Sequence, residues 1–203
     1  MPDALQHSID VGVAALTLPG ETESGDLHVV SHFPGGFVVA AIDGLGHGPE
    51  AAAAASSAAA VVQSHPDLGV VELIEACDRA LLRTRGAVMT VASVDLRTSE
   101  MTWLGVGNIE TVLVRAEPGE ERATESAMLL GGIVGHNLPA LRASTLEIGE
   151  GDTLVFASDG VRTSFIPGLD ASGDVQEVAN RILERHGKGT DDALVVVARY
   201  RGA

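Results

Sequence analysis

The sequence predicts an α+β domain in which helices pack on the outer faces of antiparallel sheets. Nine short apolar runs predict strands, and several of these runs are separated only by brief, turn-rich breaks. Pro34-Gly35 and Gly107-Asn108 lie in two such breaks. Parallel strands need a crossover of a dozen or more residues, so breaks this short favour antiparallel pairing. Many antiparallel strands with few helices are typical of the α+β class.

The strands are predicted from runs rich in Val, Ile, Leu and Ala that end at Gly, Pro, Asp or Asn. They cover residues 10–16, 27–33, 36–42, 87–95, 101–106, 111–115, 144–148, 153–157 and 193–199. The third and the last of these strands are almost continuously apolar, which predicts burial on both faces. The acidic segment at residues 117–126, which contains Pro118-Gly119, is predicted to be a surface loop.

Three helices are predicted between these strands, over residues 49–63, 68–85 and 175–186. The first starts with proline and glutamate, which both suit a helix N-terminus, and its alanine-rich body predicts close packing on a sheet. The second has an apolar stripe at positions 70, 74, 77 and 81, with Gly86 available to end it. The third begins with Asp174 and Glu177 at capping-box spacing and ends at Gly187.

Composition and charge exclude several classes of function. The formal net charge is −15, and the thirteen basic residues form no cluster of the kind that nucleic acids or anionic membranes require. No apolar run of about 20 residues predicts a membrane span, and the N-terminus lacks the features of a signal peptide. The single cysteine, Cys77, excludes a disulfide framework and a cysteine-rich zinc site. We expect a single domain over residues 1–203, cytoplasmic and monomeric.

The strongest local motif is Asp-Gly-Leu-Gly-His-Gly at residues 43–48, which follows an apolar strand and precedes the alanine-rich helix. Its glycines permit a tight turn and the close approach of a ligand to the backbone. They alternate, and so they do not follow the G-x-G-x-x-G spacing of a dinucleotide loop. Taken alone, the motif fits a functional turn and an ordinary strand-to-helix turn equally well.

Three further aspartate motifs lie at predicted strand ends: Ser24-Gly25-Asp26, Ser158-Asp159-Gly160 and Thr190-Asp191-Asp192. Alone, the first two are typical of ordinary turns and the third of a charged strand entrance. Together with Asp43 they place four carboxylates at strand ends, where a packed scaffold can bring them close to one another. Clustered carboxylates repel unless a cation lies between them, and Mg²⁺ and Mn²⁺ prefer oxygen ligands. The pattern therefore predicts a metal-dependent hydrolase that acts on a phosphate.

In this order, the four motifs resemble those of the metal-dependent PPM-type serine/threonine protein phosphatases, the protein phosphatase 2C superfamily. The resemblance is to the SpoIIE-like branch, and within it to the phosphatases of the stressosome. It extends from about residue 24 to residue 197 and includes the segments at residues 104–109 and 131–135. It implies an α-β-β-α sandwich, in which two antiparallel β-sheets are flanked by helices.

The resemblance also implies a site that holds two Mn²⁺ or Mg²⁺ ions. Asp43 would bridge the ions and so help to activate the attacking water. The backbone carbonyl of Gly44 would bind one ion, and Asp26 would serve the same ion directly or through water. Asp159 and Asp191 would hold the other ion.

Some positions depart from the better-known pattern of the superfamily. Asp192 stands where asparagine is common in the last motif, and Asp191 aligns with that motif's aspartate. Gly107-Asn108-Ile109 replaces the Gly-His-Pro segment of many SpoIIE-like relatives. The sequence identifies no arginine for the substrate phosphate.

The implied activity is removal of phosphate from phosphoserine or phosphothreonine on a partner protein, by water that two metal ions activate. The implied substrates are stressosome proteins with STAS domains. Two alternatives remain open at this point. One is a catalytically silent relative that serves as a protein-binding module, and the other is a phosphohydrolase for small molecules.

Overall fold

The computed structural model describes residues 8–116 and 124–202. Within these residues the strands are β1 (Ile9–Leu16), β2 (Asp26–Phe33), β3 (Gly36–Gly44), β4 (Ala87–Asp95), β5 (Glu100–Val106), β6 (Glu110–Val114), β7 (Thr124–Ser126), β8 (Leu129–Leu130), β9 (Ser144–Glu147), β10 (Thr153–Ala157) and β11 (Ala193–Tyr200). The helices are α1 (Pro49–Ser64), α2 (Val70–Leu81) and α3 (Val175–His186), with one 3₁₀ turn at Thr163–Phe165. In the described part of the chain, no helix is both long enough and apolar enough to cross a membrane.

The strands form two sheets. Sheet I has the order β1-β11-β10-β6-β7, and sheet II has the order β2-β3-β4-β5-β8, with β9 also paired to β5. All neighbouring strands are antiparallel except β5 and β8, which share a short parallel register of two residue pairs, Gly105 with Leu129 and Val106 with Leu130. The predicted sandwich of two sheets flanked by helices is confirmed, with this one parallel pair as its exception.

Alternation along the central strands divides the interior into three apolar layers. In β3, the odd-numbered residues from Phe37 to Ala41 lie in the core between the sheets. The even-numbered residues from Val38 to Ile42 lie under α1 and α2. In β11, Leu194 and Val196 join the core between the sheets. The alternate residues Val195 and Val197 lie under α3.

Small residues let the helices approach the sheets closely. A side chain at Gly44 would place its Cβ 2.1 Å from the carbonyl oxygen of Ala51, in the first turn of α1. A Cβ at Gly12 in β1 would lie 2.3 Å from the carbonyl oxygen of Val175, in the first turn of α3. Both contacts are at helix N-termini, so glycine at these two strand positions determines where the helices begin to pack.

The second helix is shorter than predicted, because it ends at Leu81 and not at Arg85. The N–H and the hydroxyl of Thr84 both donate to the carbonyl of Leu81, and the Thr84 hydroxyl accepts the N–H of Gly86. These bonds form a tight turn before Gly86. The apolar stripe predicted both the existence and the buried face of the helix, but the side-chain bonds of threonine decided its end.

The predicted surface loop at residues 117–126 is wrong in its last part. Residues 117–123 lie outside the described residues, but Thr124–Ser126 forms the edge strand β7 and pairs with Val112–Val114 of β6. All three residues of β7 are exposed. A short, polar, exposed edge strand carries no apolar alternation, which is why the sequence does not predict it.

The N-cap of α3 provides a test of local structure that the sequence also predicts. The Asp174 carboxylate accepts the N–H groups of Gln176 and Glu177 at 2.9 and 3.1 Å. We expect Asp174→Ala to lower the free energy of unfolding by about 1 kcal/mol, because two helix N–H groups lose their acceptor. Asp174→Ser, which retains a capping oxygen, should lose less than half of this amount in urea unfolding. Equal stabilities for the two variants would contradict the capping role.

Candidate metal centre

Five aspartates line one pocket of about 170 Å³ at the edge where the two sheets meet. Asp26 begins β2, Asp43 lies near the end of β3, Asp159 follows β10, and Asp191 and Asp192 precede β11. Leu45, Gly46, His47, Val88 and Asn108 complete the lining. The structure thus brings together all four aspartates that the sequence singled out, and it adds Asp192. Gly44 lies next to Asp43 at the buried end of β3.

Asp26 and Asp43 are direct cross-strand partners in the β2–β3 register. Directly opposed side chains on neighbouring strands lie about 4.5–5.5 Å apart at their Cβ atoms, and like charges in such pairs are destabilising. Asp26 is only 5% exposed, so water screens this repulsion poorly. The pair therefore requires either a proton or a cation between its carboxylates.

The acid–base properties of the pocket reflect this crowding. Burial, followed by repulsion from Asp26 and from the other pocket carboxylates, raises the pKa of Asp43 to about 8. Burial also raises the pKa of Asp26 to about 7, although the hydrogen bond from Ser158 opposes the rise. At neutral pH and without a cation, Asp43 therefore stays mostly protonated and Asp26 partly protonated, whereas an ordinary aspartate would be ionised.

Ser158 orients Asp26 from the other sheet. Its hydroxyl donates to Asp26 Oδ2 at 2.6 Å and accepts the N–H of Leu194 at 2.9 Å. Ser158 is 2% exposed, so both bonds are shielded from water. Because Asp26 belongs to sheet II and Leu194 to sheet I, this serine links the two sheets directly beneath the pocket.

Asp192 anchors the segment that leads into β2. Its carboxylate accepts the N–H of Leu18 at 2.8 Å and the N–H of Gly25 at 2.7 Å. In a regular continuation of the β2–β3 pairing, the Gly25 N–H would instead donate to the carbonyl of Gly44, whose own N–H donates to Gly25. Asp192 therefore diverts the bond that would otherwise occupy the Gly44 carbonyl oxygen.

The two remaining aspartates are held by short polar contacts. The side-chain amide of Asn108 donates to Asp159 Oδ2 at 3.0 Å. Asp191 Oδ1 accepts the N–H of Asp192 at 2.9 Å. Both carboxylates are only partly buried, so they form the solvent side of the pocket.

His47 lies in the glycine turn at the rim of the pocket. Its Nδ1 is 2.6 Å from Glu21 Oε1, and 57% of its side chain is exposed. The neighbouring Gly46 and Gly48 have φ values of 86° and 73°, a backbone region that glycine adopts without strain. The turn therefore carries His47 outward, where it is paired with glutamate.

The donor set fits a hard divalent cation with several water ligands. All the candidate ligands are oxygens, which suits Mg²⁺ and Mn²⁺ and does not suit soft metals. Among the described residues, no three His, Cys, Asp or Glu side chains are close enough to chelate one ion by themselves. Mg²⁺ commonly binds through one or two carboxylates and keeps several waters, so this open arrangement is suitable for it.

Sequence reasoning missed three residues that shape the pocket: Asn108, Ser158 and Asp192. In the sequence, Asn108 and Asp192 stand out only as departures from motifs of the superfamily. The tandem Asp191-Asp192 could have indicated different roles for the two carboxylates, since the side chains of adjacent residues at the start of a strand point to opposite sides. No local pattern indicates that Ser158 reaches a carboxylate 132 residues away in sequence.

Residues 34–201 match the sequence profile of stage II sporulation protein E, SpoIIE. The chain belongs to the SpoIIE family. The match covers most of the chain, and it includes Asp43, Asp159 and Asp191 but begins after Asp26. The structure supplies the missing position, because it places Asp26 directly opposite Asp43.

Curated and solved relatives agree with this assignment. The phosphoserine phosphatase RsbX of Bacillus subtilis is 21% identical over 188 residues, which cover 92% of each chain. The crystal structure of RsbX in complex with magnesium has a TM-score of 0.84 and 20% identity, and the match covers 96% of both chains.

Two further solved structures extend the comparison. One comes from a structural study of the bacterial stressosome as a modular system adapted to control secondary messenger signalling. Its chain is 33% identical to this one and has a TM-score of 0.84, and the match covers 94% of this chain and 99% of that one. The catalytic domain of the serine/threonine phosphatase PstP, in complex with two manganese ions, has a TM-score of 0.71 and 18% identity, covering 95% and 98%. The predicted PPM-type phosphatase family and enzyme class are confirmed.

The raised pKa values of Asp26 and Asp43 couple the stability of the metal-free protein to pH. A carboxyl whose pKa in the folded state lies above its ordinary value of 3.8 stabilises the fold fully below pH 3.8. It loses this contribution as the pH rises through its pKa in the folded state, which is about 7 for Asp26 and about 8 for Asp43. We expect Asp43→Asn to match the wild type below about pH 4 and to exceed its unfolding free energy by a few kcal/mol near pH 9.

Urea unfolding in the presence of a chelator measures this difference. Asp67→Asn removes an exposed carboxylate in the turn between α1 and α2, and it serves as the charge-matched control with no such gain. If Asp43→Asn and Asp67→Asn changed stability equally at both pH values, repulsion within the pocket would not be the cause.

Proposed function

We propose that this chain is a Mn²⁺- or Mg²⁺-dependent phosphatase that removes phosphate from phosphoserine or phosphothreonine on a partner protein. One observation carries the proposal: aspartates from four separate segments converge in one pocket, where their mutual repulsion calls for cations. The comparisons support it, since RsbX is a phosphoserine phosphatase crystallised with magnesium and PstP binds two manganese ions.

The proposed metal ligands follow from the arrangement of the pocket. The ionised form of Asp43 is opposed by all four of the other pocket carboxylates, so Asp43 is the residue best placed to serve two ions. Gly44 would offer its carbonyl oxygen to one of these ions, together with Asp26. Asp159 and Asp191, on the solvent side, would hold the other ion.

The chemistry requires no protein nucleophile. When bound, the two ions supply a water of lowered pKa and neutralise charge on the phosphate oxygens. Among the described residues that line the pocket, none is Ser, Thr or Cys. Ser158 beneath the pocket is already committed, because its hydroxyl donates to Asp26 and accepts from Leu194. The residues of the chain therefore orient the ions and the substrate, and water attacks the phosphorus.

The proposed substrates are cytoplasmic stressosome proteins with STAS domains. This proposal rests on the 33% identity to a chain studied in the bacterial stressosome and on the likeness to RsbX over 92% of the chain. The matches extend over nearly the full length of both relatives, and the likeness is therefore not confined to one motif.

Asp43→Asn tests the central ligand. We expect the variant to fold and to lose at least ~100-fold in Mn²⁺-dependent kcat/KM toward an aryl phosphate, since metal-ion stabilisation of the transition state is worth several kcal/mol. Asp67→Asn is the control with the same change of charge, and it should retain wild-type activity. Near-normal turnover by Asp43→Asn would contradict the proposed ligand set.

Substrate class is tested with the same enzyme. A phosphoserine-containing STAS-domain protein should be hydrolysed with a higher kcat/KM than small phosphorylated metabolites. The reverse order would favour a small-molecule phosphohydrolase. A wild-type protein without any Mn²⁺-dependent hydrolysis would favour the silent binding module.

Asn108 tests how the outer ligand is held. Loss of a hydrogen bond that orients a metal-binding carboxylate typically weakens metal affinity by about 10–100-fold. We therefore expect Asn108→Ala to raise the Mn²⁺ concentration for half-maximal activity by at least ~10-fold, with a smaller change in kcat at saturating metal. Asn137→Ala is the matched control, because Asn137 is an exposed asparagine that pairs through its backbone with Ile133. An unchanged Mn²⁺ requirement in Asn108→Ala would show that Asp159 needs no such support.

A further inference from the structure

A second cleft, of about 340 Å³, adjoins the metal pocket and is larger than it. The two share Asn108 and Asp159 as lining residues. The rest of the second lining is Glu110, Ser158, Val161, Arg162, Thr163 and Lys188. A group bound in this cleft would therefore lie directly beside a phosphate bound over the aspartates.

Two paired segments form the wall of this cleft. Val161 and Gly187 make an antiparallel bridge between the segment that follows β10 and the segment that precedes β11. The N–H of Lys188 donates to the carbonyl of Gly160 at 2.8 Å, and the N–H of Arg162 donates to the carbonyl of His186 at 2.9 Å. These bonds place Arg162 opposite His186 and Lys188 opposite Gly160, so the two cationic residues are diagonal neighbours across the bridge.

The positions of the two cations follow from those of the aspartates. Arg162 comes three residues after Asp159, and Lys188 comes three residues before Asp191. Each segment thus supplies one carboxylate to the metal pocket and one cation to the adjoining cleft. Both cationic residues are exposed, and Lys188 is the only lysine in a chain whose net charge is −15.

Glu110 places a negative charge in this cleft opposite the two cations. It lines the same space and is partly buried on β6. An anionic guest would therefore bind on the Arg162–Lys188 side and would be repelled from the β6 side. The arginine guanidinium also donates from Nη1 to the carbonyl of Gly187 at 2.8 Å, which orients it along this wall of the cleft.

We propose that this cleft, with Arg162 and Lys188, binds an acidic side chain of the protein substrate close to the phosphorylated residue. The inference rests on the proposed phosphatase function and adds a determinant of substrate choice to it. A phosphoprotein approaching this strongly acidic chain meets general repulsion, so two local cations beside the metal pocket would select segments with a carboxylate at the matching distance.

Matched phosphoserine peptides test the cleft. They differ only in carrying glutamate or glutamine at the positions that flank the phosphoserine, on its N-terminal side, its C-terminal side or both. We expect the wild type to prefer the best glutamate peptide about tenfold in kcat/KM, mainly through KM, as two exposed charge pairs allow. The preference should fall to about twofold or less in Lys188→Gln, and it should rise in Glu110→Gln.

Arg79→Gln is the charge-matched control, because Arg79 is exposed on α2, which packs against sheet II. It should keep the tenfold preference. Lys188→Gln is a cleaner variant than Arg162→Gln, since the arginine side chain also holds the backbone of Gly187. Arg162→Gln serves as the second variant, with circular dichroism to verify its fold.

Two readouts separate this inference from the proposed function. Absence of Mn²⁺-dependent aryl phosphate hydrolysis by the wild type would count against phosphatase activity. Binding of the same peptides, measured by calorimetry without turnover, would still test the cleft. Equal affinities for glutamate and glutamine peptides, or a preference that survives in both Lys188→Gln and Arg162→Gln, would overturn the cleft's role.

Discussion

Repulsion between buried carboxylates is the constraint on which this molecule depends. Asp26 and Asp43 face each other across neighbouring strands, and three further aspartates lie within electrostatic reach of both. The scaffold holds them there with Ser158 on Asp26 and Asn108 on Asp159, while Asp192 is fixed by two backbone N–H groups. These hydrogen bonds orient the carboxylates but do not neutralise them. The repulsion between Asp26 and Asp43 therefore remains, and a bound cation would relieve it.

The layered fold makes this arrangement possible. β3 and β11 are buried on both faces, so each alternate set of apolar residues has its own core. A shift of one residue in either strand would exchange the two sets and turn Asp43 or Asp191 away from the pocket. Close packing of α1 against Gly44 and of α3 against Gly12 adds a second restraint on register. Packing of the strand faces and of the helices thereby determines the distances between the aspartates.

Charge in this protein is organised over two length scales. Across the whole chain, the net charge of −15 opposes binding to polyanions and favours solubility. Beside the metal pocket, the same two segments that carry Asp159 and Asp191 also bring Arg162 and Lys188 into one cleft. Cationic side chains next to a cation-binding pocket suit a substrate that carries more than one negatively charged group. The acidic surface elsewhere on the protein would repel such a substrate.

The sequence by itself determined the features that depend on near neighbours: the central strands, the cap at Asp174, the glycine turn after Asp43 and the four aspartate motifs. The resemblance to one family also predicted the sandwich, because the aspartate motifs follow one another along the chain in the same order as in that family. Only the tertiary structure decided that Ser158 meets Asp26, that Asp192 binds the N–H of Gly25, that α2 ends early at Leu81, and that polar residues form β7. These features depend on contacts between distant residues or on single side-chain hydrogen bonds, and neither leaves a periodic pattern along the chain.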